Sequence, residues 1–231
     1  HIQVHQNLDD GIEMFGGTVS VKYVVLTSNG DDSLDWADGW TGNGQYILVK
    51  HGADNSESNR GIEADNQSSK FDATPVSNPT IANMTIIGNT YKSAEKDSEG
   101  VLLRAGSNGQ LHNFLITGPV GMGECLEIET TQSQALAAAG SLVMTHSVIG
   151  CPEPFKGSVS ATVTLKQWFE AQTGNKTAAD QAAVLNGIYT IDTTTPKDMT
   201  AVDNFFDAVD FVGAVKPGND WTAGWAVGLD D

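Results

Sequence analysis

At 231 residues the chain has room for one large core and not for two comfortable ones. Its formal charge of -17 and pI near 4.4 exclude nucleic acid as a partner, because phosphate contacts need clustered basic side chains and the only arginines are Arg60 and Arg104. No apolar run approaches the roughly 18 residues of a membrane-spanning helix, and no basic-then-apolar leader opens the chain, so either a leader has been removed or His1 is a cut point.

The first segment, His1-Ile2-Gln3-Val4-His5-Gln6-Asn7, aligns with Tyr23 to Gly30 and brings Asp9-Asp10 over Asp31-Asp32. A five-residue phrase follows, Asp10-Gly11-Ile12-Glu13-Met14. It recurs as Asp32-Ser33-Leu34-Asp35-Trp36, Arg60-Gly61-Ile62-Glu63-Ala64, Glu99-Gly100-Val101-Leu102-Leu103 and Glu124-Cys125-Leu126-Glu127-Ile128. Each copy is charged, then small, then aliphatic, and four of the five carry a carboxylate fourth. Side chains alternate faces along a strand, so the third and fifth residues share one face and the fourth takes the other. Stacked copies then give an apolar column and, outside it, an acidic ladder of Glu13, Asp35, Glu63, Leu102 and Glu127, with Phe15, Ala37, Asp65, Arg104 and Glu129 beside it.

Between the copies lie β-branched, apolar segments that run into Gly, Asn or both: Val21 to Thr27, Gln45 to Lys50, Ala82 to Gly88, Leu111 to Thr117 and Val143 to Ile149. Phrase starts at 10, 32, 60, 99 and 124 are spaced 22, 28, 39 and 25 residues, too irregular for helix-pair repeats. Short strands repeating with a variable third side predict an all-β solenoid, a right-handed parallel β-helix of five or six coils over residues 1–151. Asp54 to Asn59, Asn66 to Asn78 and Thr90 to Ser98 are expected as loops thrown out from the coil. Thr131 to Gly140 reads as a short helix. Leu165 to Gln172, Ala178 to Leu185 and Met199 to Phe206 have helical spacing, so 152–231 is expected as a mixed helix-and-loop cap over the last coil's apolar end. Cys125 and Cys151 can close a loop of roughly 25 residues with a disulfide worth about 3 kcal/mol, or remain buried thiols. The composition favours the disulfide.

The closing segment, Phe205 to Val215 and then Asp220-Trp221-Thr222-Ala223-Gly224-Trp225, joins Asp9 to Val19 and Ser77-Asn78-Pro79-Thr80-Ile81 in a specific likeness. With these the chain resembles a family of secreted bacterial proteins that includes predicted lipoproteins and surface-layer-associated proteins. The resemblance covers essentially the whole chain. It implies a right-handed parallel β-helix and a secreted or outer cell-surface location, with family members carrying further coils before the position of His1; it implies no settled activity.

The ladder's chemistry follows from its spacing. Strands about 4.8 Å apart put Glu13, Asp35 and Glu63 in a column, and like charges at that distance repel by about 1 kcal/mol even in water. Ca²⁺ held by Asp10, Glu13, Asp32, Asp35 and Glu63 would relieve the repulsion, as would interleaved Arg60 and Arg104 or raised pKa values. Three readings stay open: a solvated strand face, a face that binds an extracellular polysaccharide or surface component with Ca²⁺, and a polysaccharide hydrolase or lyase. Catalysis would draw on Glu13, Asp35, Glu63 and Arg60, with Arg104 and Lys50 as further candidate bases. Trp40 and Phe15, with Asp65 and Arg104, are the candidate ligand contacts. His1 and His5 share a strand face and form the one candidate transition-metal pair. The first coil is expected to leave its apolar end and backbone edge open, which calls for preceding coils or end-to-end self-association.

Overall fold

The computed structural model describes residues 1–53, 57–94 and 96–230. In chain order the strands of the two large sheets are β1 (Ile2–His5), β2 (Ile12–Phe15), β3 (Val21–Thr27), β4 (Leu34–Ala37), β5 (Asn43–Lys50), β6 (Arg60–Ala64), β7 (Thr80–Ile87), β8 (Glu99–Leu103), β9 (Gln110–His112), β10 (Leu115–Thr117), β11 (Leu126–Ile128), β12 (Val143–Thr145), β13 (Val148–Gly150), β14 (Phe155–Lys156) and β15 (Lys176–Thr177); β16 (Leu185–Asn186) and β17 (Tyr189–Thr190) form a separate antiparallel pair. One sheet orders β1-β3-β5-β7-β10-β13-β15, with β9 between β7 and β12; the other orders β2-β4-β6-β8-β11-β14. Every pairing within them is parallel. The molecule is a parallel β-helix.

The register is the one the phrase dictates. Ile12, Leu34, Ile62, Val101 and Leu126 pair in sequence, as do Met14, Trp36, Ala64, Leu103 and Ile128. Both columns face the continuous core, along with Val24, Leu26, Ile47, Val49, Ile86 and Ile116 from the other sheet. The small second residue of each phrase also has a cause. At that corner the side chain turns inward: a Cβ on Gly61 would lie 2.5 Å from Ile86 Cγ2, and one on Gly100 would lie 2.7 Å from Ile116 Cγ2 and 2.2 Å from the Cys125 carbonyl oxygen. In the last copy the position is Cys125, disulfide-bonded to Cys151.

A second column lies at the opposite corner. Tyr23, Tyr46, Asn83, Asn113 and His146 all take positive φ, between 51° and 61°. This left-handed kink divides the segments expected as single strands at Leu111 to Thr117 and Val143 to Ile149 into β9/β10 and β12/β13. Asn adopts that region readily, Tyr does not. The tyrosines gain stacking in exchange, His1 on Tyr23 at 4.7 Å and Tyr23 on Tyr46 at 4.8 Å.

Helix α1 (Thr131–Ala138) lies where its sequence places it. Helix α2 (Leu165–Ala171) opens on a capping box between Thr164 and Gln167 and buries Leu165, Trp168 and Phe169 against the core. Two expected helices are not formed. Over 178–185 there is only a 3₁₀ turn at Gln181–Ala183. Met199 to Phe206 is a run of turns, because the Asp198 and Asp203 carboxylates accept from the Thr200 and Phe205 backbone N–H groups and so compete with helical bonding. Asp54, Asn55 and Ser56 of one expected loop, and Glu95 of another, lie outside the described residues.

The C-terminal region divides. Residues around β14 and α2 cover the end of the coil. From 191 onward the chain becomes a strap that runs back across the outer face of the larger sheet. Lys197 N–H donates to Asn113, Asp207 N–H to Gln45, Ala214 N–H to Thr85, and Val227 N–H to Gln3. Beneath it Val212, Ala214 and Val215 bury Leu48, Ile87, Leu115 and Val148 in a second core. At the other end β1 and β2 are edge strands, and Val4, Ile12 and Met14 are only partly covered.

Substituting Gly100→Ala tests the corner. The added methyl meets backbone on one side and Ile116 on the other, so urea denaturation should show a loss of about 1–3 kcal/mol. An unchanged midpoint would mean that the corner is looser than described.

Candidate functional site

The outward face of the smaller sheet carries three rows. The first runs Asp10, Asp32, Arg60, Glu99, Glu124; the second Glu13, Asp35, Glu63, Leu102, Glu127, Lys156; the third begins with Phe15 and Ala37 and continues through Asp65, Arg104 and Glu129. The first-row acids bond locally, Asp10 Oδ1 accepting the Asp32 N–H at 3.0 Å and Asp32 Oδ1 accepting the Arg60 N–H at 2.9 Å. Each carboxylate thereby satisfies the donor that opens the next coil.

Both arginines are interleaved. Arg60 gives Nη1 to Glu63 at 2.6 Å and Nε to Glu99 at 3.1 Å, and stands 3.9 Å from Asp32. Arg104 pairs with Glu63 and gives Nε to Asp65 at 2.9 Å. Lys156 serves Glu124 and Glu127. Glu63, Glu99, Glu124 and Glu127 thus each have a basic partner, although the last three still bring carboxylate oxygens within 4.8 Å of one another. Toward the first coil, among the described residues, Arg60 at 3.9 Å from Asp32 is the nearest cation to the ladder.

There, Asp10, Asp32 and Asp35 each bring a carboxylate oxygen within 4.8 Å of the others. Among the described residues, Asp35 Oδ1 and Asn59 Oδ1 are both buried without a hydrogen-bond partner, and the two residues line one cavity of about 390 Å³. Lys96, at the cavity's rim, is taken by Asp31 at 2.7 Å. Burial, reinforced by Glu63, Asp10 and Glu13, pushes the Asp35 carboxyl up to about 8. Burial and Glu63 push Asp32 up to about 9 against the pull of Arg60. Asp10 and Glu13 are raised too, burial being the larger cause in each. In Asp32 and Asp35 alike, burial favours the protonated form. Three converging carboxylates, one with an oxygen unpartnered among the described residues, fit a hard divalent cation such as Ca²⁺.

Of the expected ligand contacts, Phe15 is 68% exposed at the head of the third row. Asp65 and Arg104 line a second cavity, of about 300 Å³, together with Phe71 and Glu129. Trp40 is not a ligand contact. It is fully buried, its ring 5.7 Å from Trp36 and its Nε1 donating to the Val19 carbonyl at 2.9 Å. Lys50 is not a base for this face, since it closes β5 in the other sheet and donates to the Gly228 and Leu229 carbonyls. His1 and His5 do not share an ion: strand geometry separates them by roughly 13 Å, and each is engaged elsewhere, His1 against Tyr23 and His5 with the Thr27 hydroxyl. Glu63, held by both arginines, is less open to a cation than Asp10, Asp32 and Asp35. Sequence reasoning missed Asn59, Asp31 and Lys96. The first two precede their phrases by one residue, a position that the stacked repeat does repeat in space.

A parallel β-helix with a carboxylate ladder on one outward face is the class that fold and site define. Residues 1–226 match the pectate-lyase-like β-helix domain, and the chain belongs to that family. No curated protein and no solved structure matches it. Among the described residues no helix is long and apolar enough to cross a membrane.

The raised carboxyls predict a pH signature. An unfolded Asp35 ionises near 3.8, whereas the folded one keeps its proton to about 8, so the folded state binds more protons between those limits and loses stability as pH rises through them. Asp32 extends the window to about 9. In EDTA the melting temperature should fall from pH 5 to pH 8, and Asp35→Asn should flatten that slope. A wild-type slope in the variant would remove Asp35 as its source.

Proposed function

We propose that the chain is a secreted or cell-surface module that binds extracellular polysaccharide across the acidic face, with Ca²⁺ held by Asp10, Asp32 and Asp35. The observation that carries this reading is the division of the ladder: basic side chains pair with Glu63, Glu99, Glu124 and Glu127, whereas Asp10, Asp32 and Asp35 converge with Arg60 no nearer than 3.9 Å and with an Asp35 oxygen that is buried and unpartnered among the described residues. The bound ion would supply positive charge at the sheet surface, where acidic or hydroxyl oxygens of a sugar could complete its coordination. The exposed Phe15 ring offers a stacking face at the head of the third row, and Phe71 and Arg104 line the cavity farther along it. Membership of a pectate-lyase-like family supports a polysaccharide as the partner. The Cys125–Cys151 bond supports export to an oxidising compartment.

One observation favours turnover as a second reading. A protonated Asp35 one coil from Glu13 places a proton donor beside a carboxylate, the pair that a glycoside hydrolase needs. A lyase is less well served, because Arg60 is tied to two carboxylates and Lys50 lies on the other sheet.

Calorimetric titration should show Ca²⁺ binding that Asp35→Asn abolishes, and at 100 times its dissociation constant the ion should add about 2.7 kcal/mol of stability. Polysaccharide retention in affinity gels should require Ca²⁺ and fail in EDTA. No Ca²⁺ heat and no shift in melting would overturn the cation; new reducing ends, lost in Glu13→Gln or Asp35→Asn, would replace binding by hydrolysis.

A further inference from the structure

The strap over the larger sheet makes a site of its own, sharing no residue with the acidic face. Where it turns back around 207–211, two cavities of about 450 and 520 Å³ adjoin, with Val209 and Asp210 common to both. Each is of the size that small-ligand sites occupy. Tyr46 lines the first. Its ring is fixed against Tyr23 at 4.8 Å, and only 7% of the residue is exposed. No described group hydrogen-bonds its hydroxyl.

The acids of this trough are already matched. Asp210 is paired with Lys216, whose ammonium also stands 5.3 Å from the centre of the Phe211 ring. Asp192 is held by Lys176 at 2.5 Å and by the Thr194 N–H at 2.7 Å. The trough therefore offers neither the bare carboxylates that would draw a cation nor a free ammonium for an anion. What it does offer is neutral: the Tyr46 hydroxyl, the Asn219 amide on an exposed turn, and the hydroxyls of 193–195 in the second cavity. The Tyr46 and Phe211 rings are nearly covered, at 7% and 8% exposed, so what the trough presents is an edge of hydroxyl and amide groups beside the side chains of Ala208, Val209 and Pro196, which matches the hydroxyl-rich edge of a neutral sugar ring.

The geometry points to a second saccharide site in this trough, one that takes a neutral oligosaccharide and needs no metal. It is independent of the cation reading of the acidic face. Calorimetric titration of the intact protein in EDTA with cellohexaose, xylohexaose, mannohexaose and maltohexaose tests it. At least one should bind, and Tyr46→Phe and Asn219→Ala should each weaken it by about 2- to 10-fold, the worth of one hydrogen bond, with melting temperature unchanged. Asp35→Asn should leave this binding intact. Absence of heat with all four sugars at millimolar concentration would overturn the site, as would an affinity that both trough variants leave untouched. So would binding lost in Asp35→Asn, which would move the sugar to the acidic face.

Discussion

Parallel, in-register stacking brings each residue of the repeat next to its own counterpart about 4.8 Å away. For the aliphatic third residue this is how the core forms. For the charged first and fourth residues it is an obligation, because every coil added lengthens a column of like charge. The chain meets that obligation in three ways along one face: backbone donors at Asp10 and Asp32, basic side chains at Glu63, Asp65, Glu99, Glu124 and Glu127, and burial that favours the protonated form at Asp32 and Asp35. Protonation is the device that a divalent ion can replace, since binding to a carboxyl set releases its protons.

The other sheet answers a different demand. Its outward residues Leu48, Ile87, Leu115 and Val148 are apolar, and an all-apolar strand must be covered on both faces. The strap covers it without regular secondary structure, fastened through the kinked column, where the Asn83 amide donates to the Phe211 and Gly213 carbonyls and the Asn113 amide to that of Lys197. A left-handed corner that looks like strain within each coil is, across coils, a row of hydrogen-bonding handles.

The core of the coil was legible because period-two alternation and a small corner residue are local signals, and Ile12 through Leu126 pair in the order those signals give. The role of the arginines was legible too, there being only two of them amid so many acids. Less could be read wherever a residue's place depends on distant chain. Tyr23 and Tyr46 carry no mark of a positive φ. Trp40, after a glycine in a turn, looks exposed until Val19 takes its indole N–H. The strap resembles an end cap because its composition says that it must cover something apolar, and says nothing of which surface. Asn59 and Lys96 join the carboxyl cavity from just outside the repeating phrase, where pattern gives way to loops.

The strap has a consequence for how the chain is made. A solenoid can assemble coil upon coil as it leaves the ribosome, since each needs only its neighbour. Here β1 is finished by the strap: Gln3 exchanges hydrogen bonds with Val227 across 224 positions of sequence. Until 191–229 have been synthesised, the growing β-helix carries a bare stripe of Leu48, Ile87, Leu115 and Val148. Contacts so remote in sequence form slowly, and the growing β-helix spends that interval with a sticky surface that the strap, or a chaperone in its place, must shield.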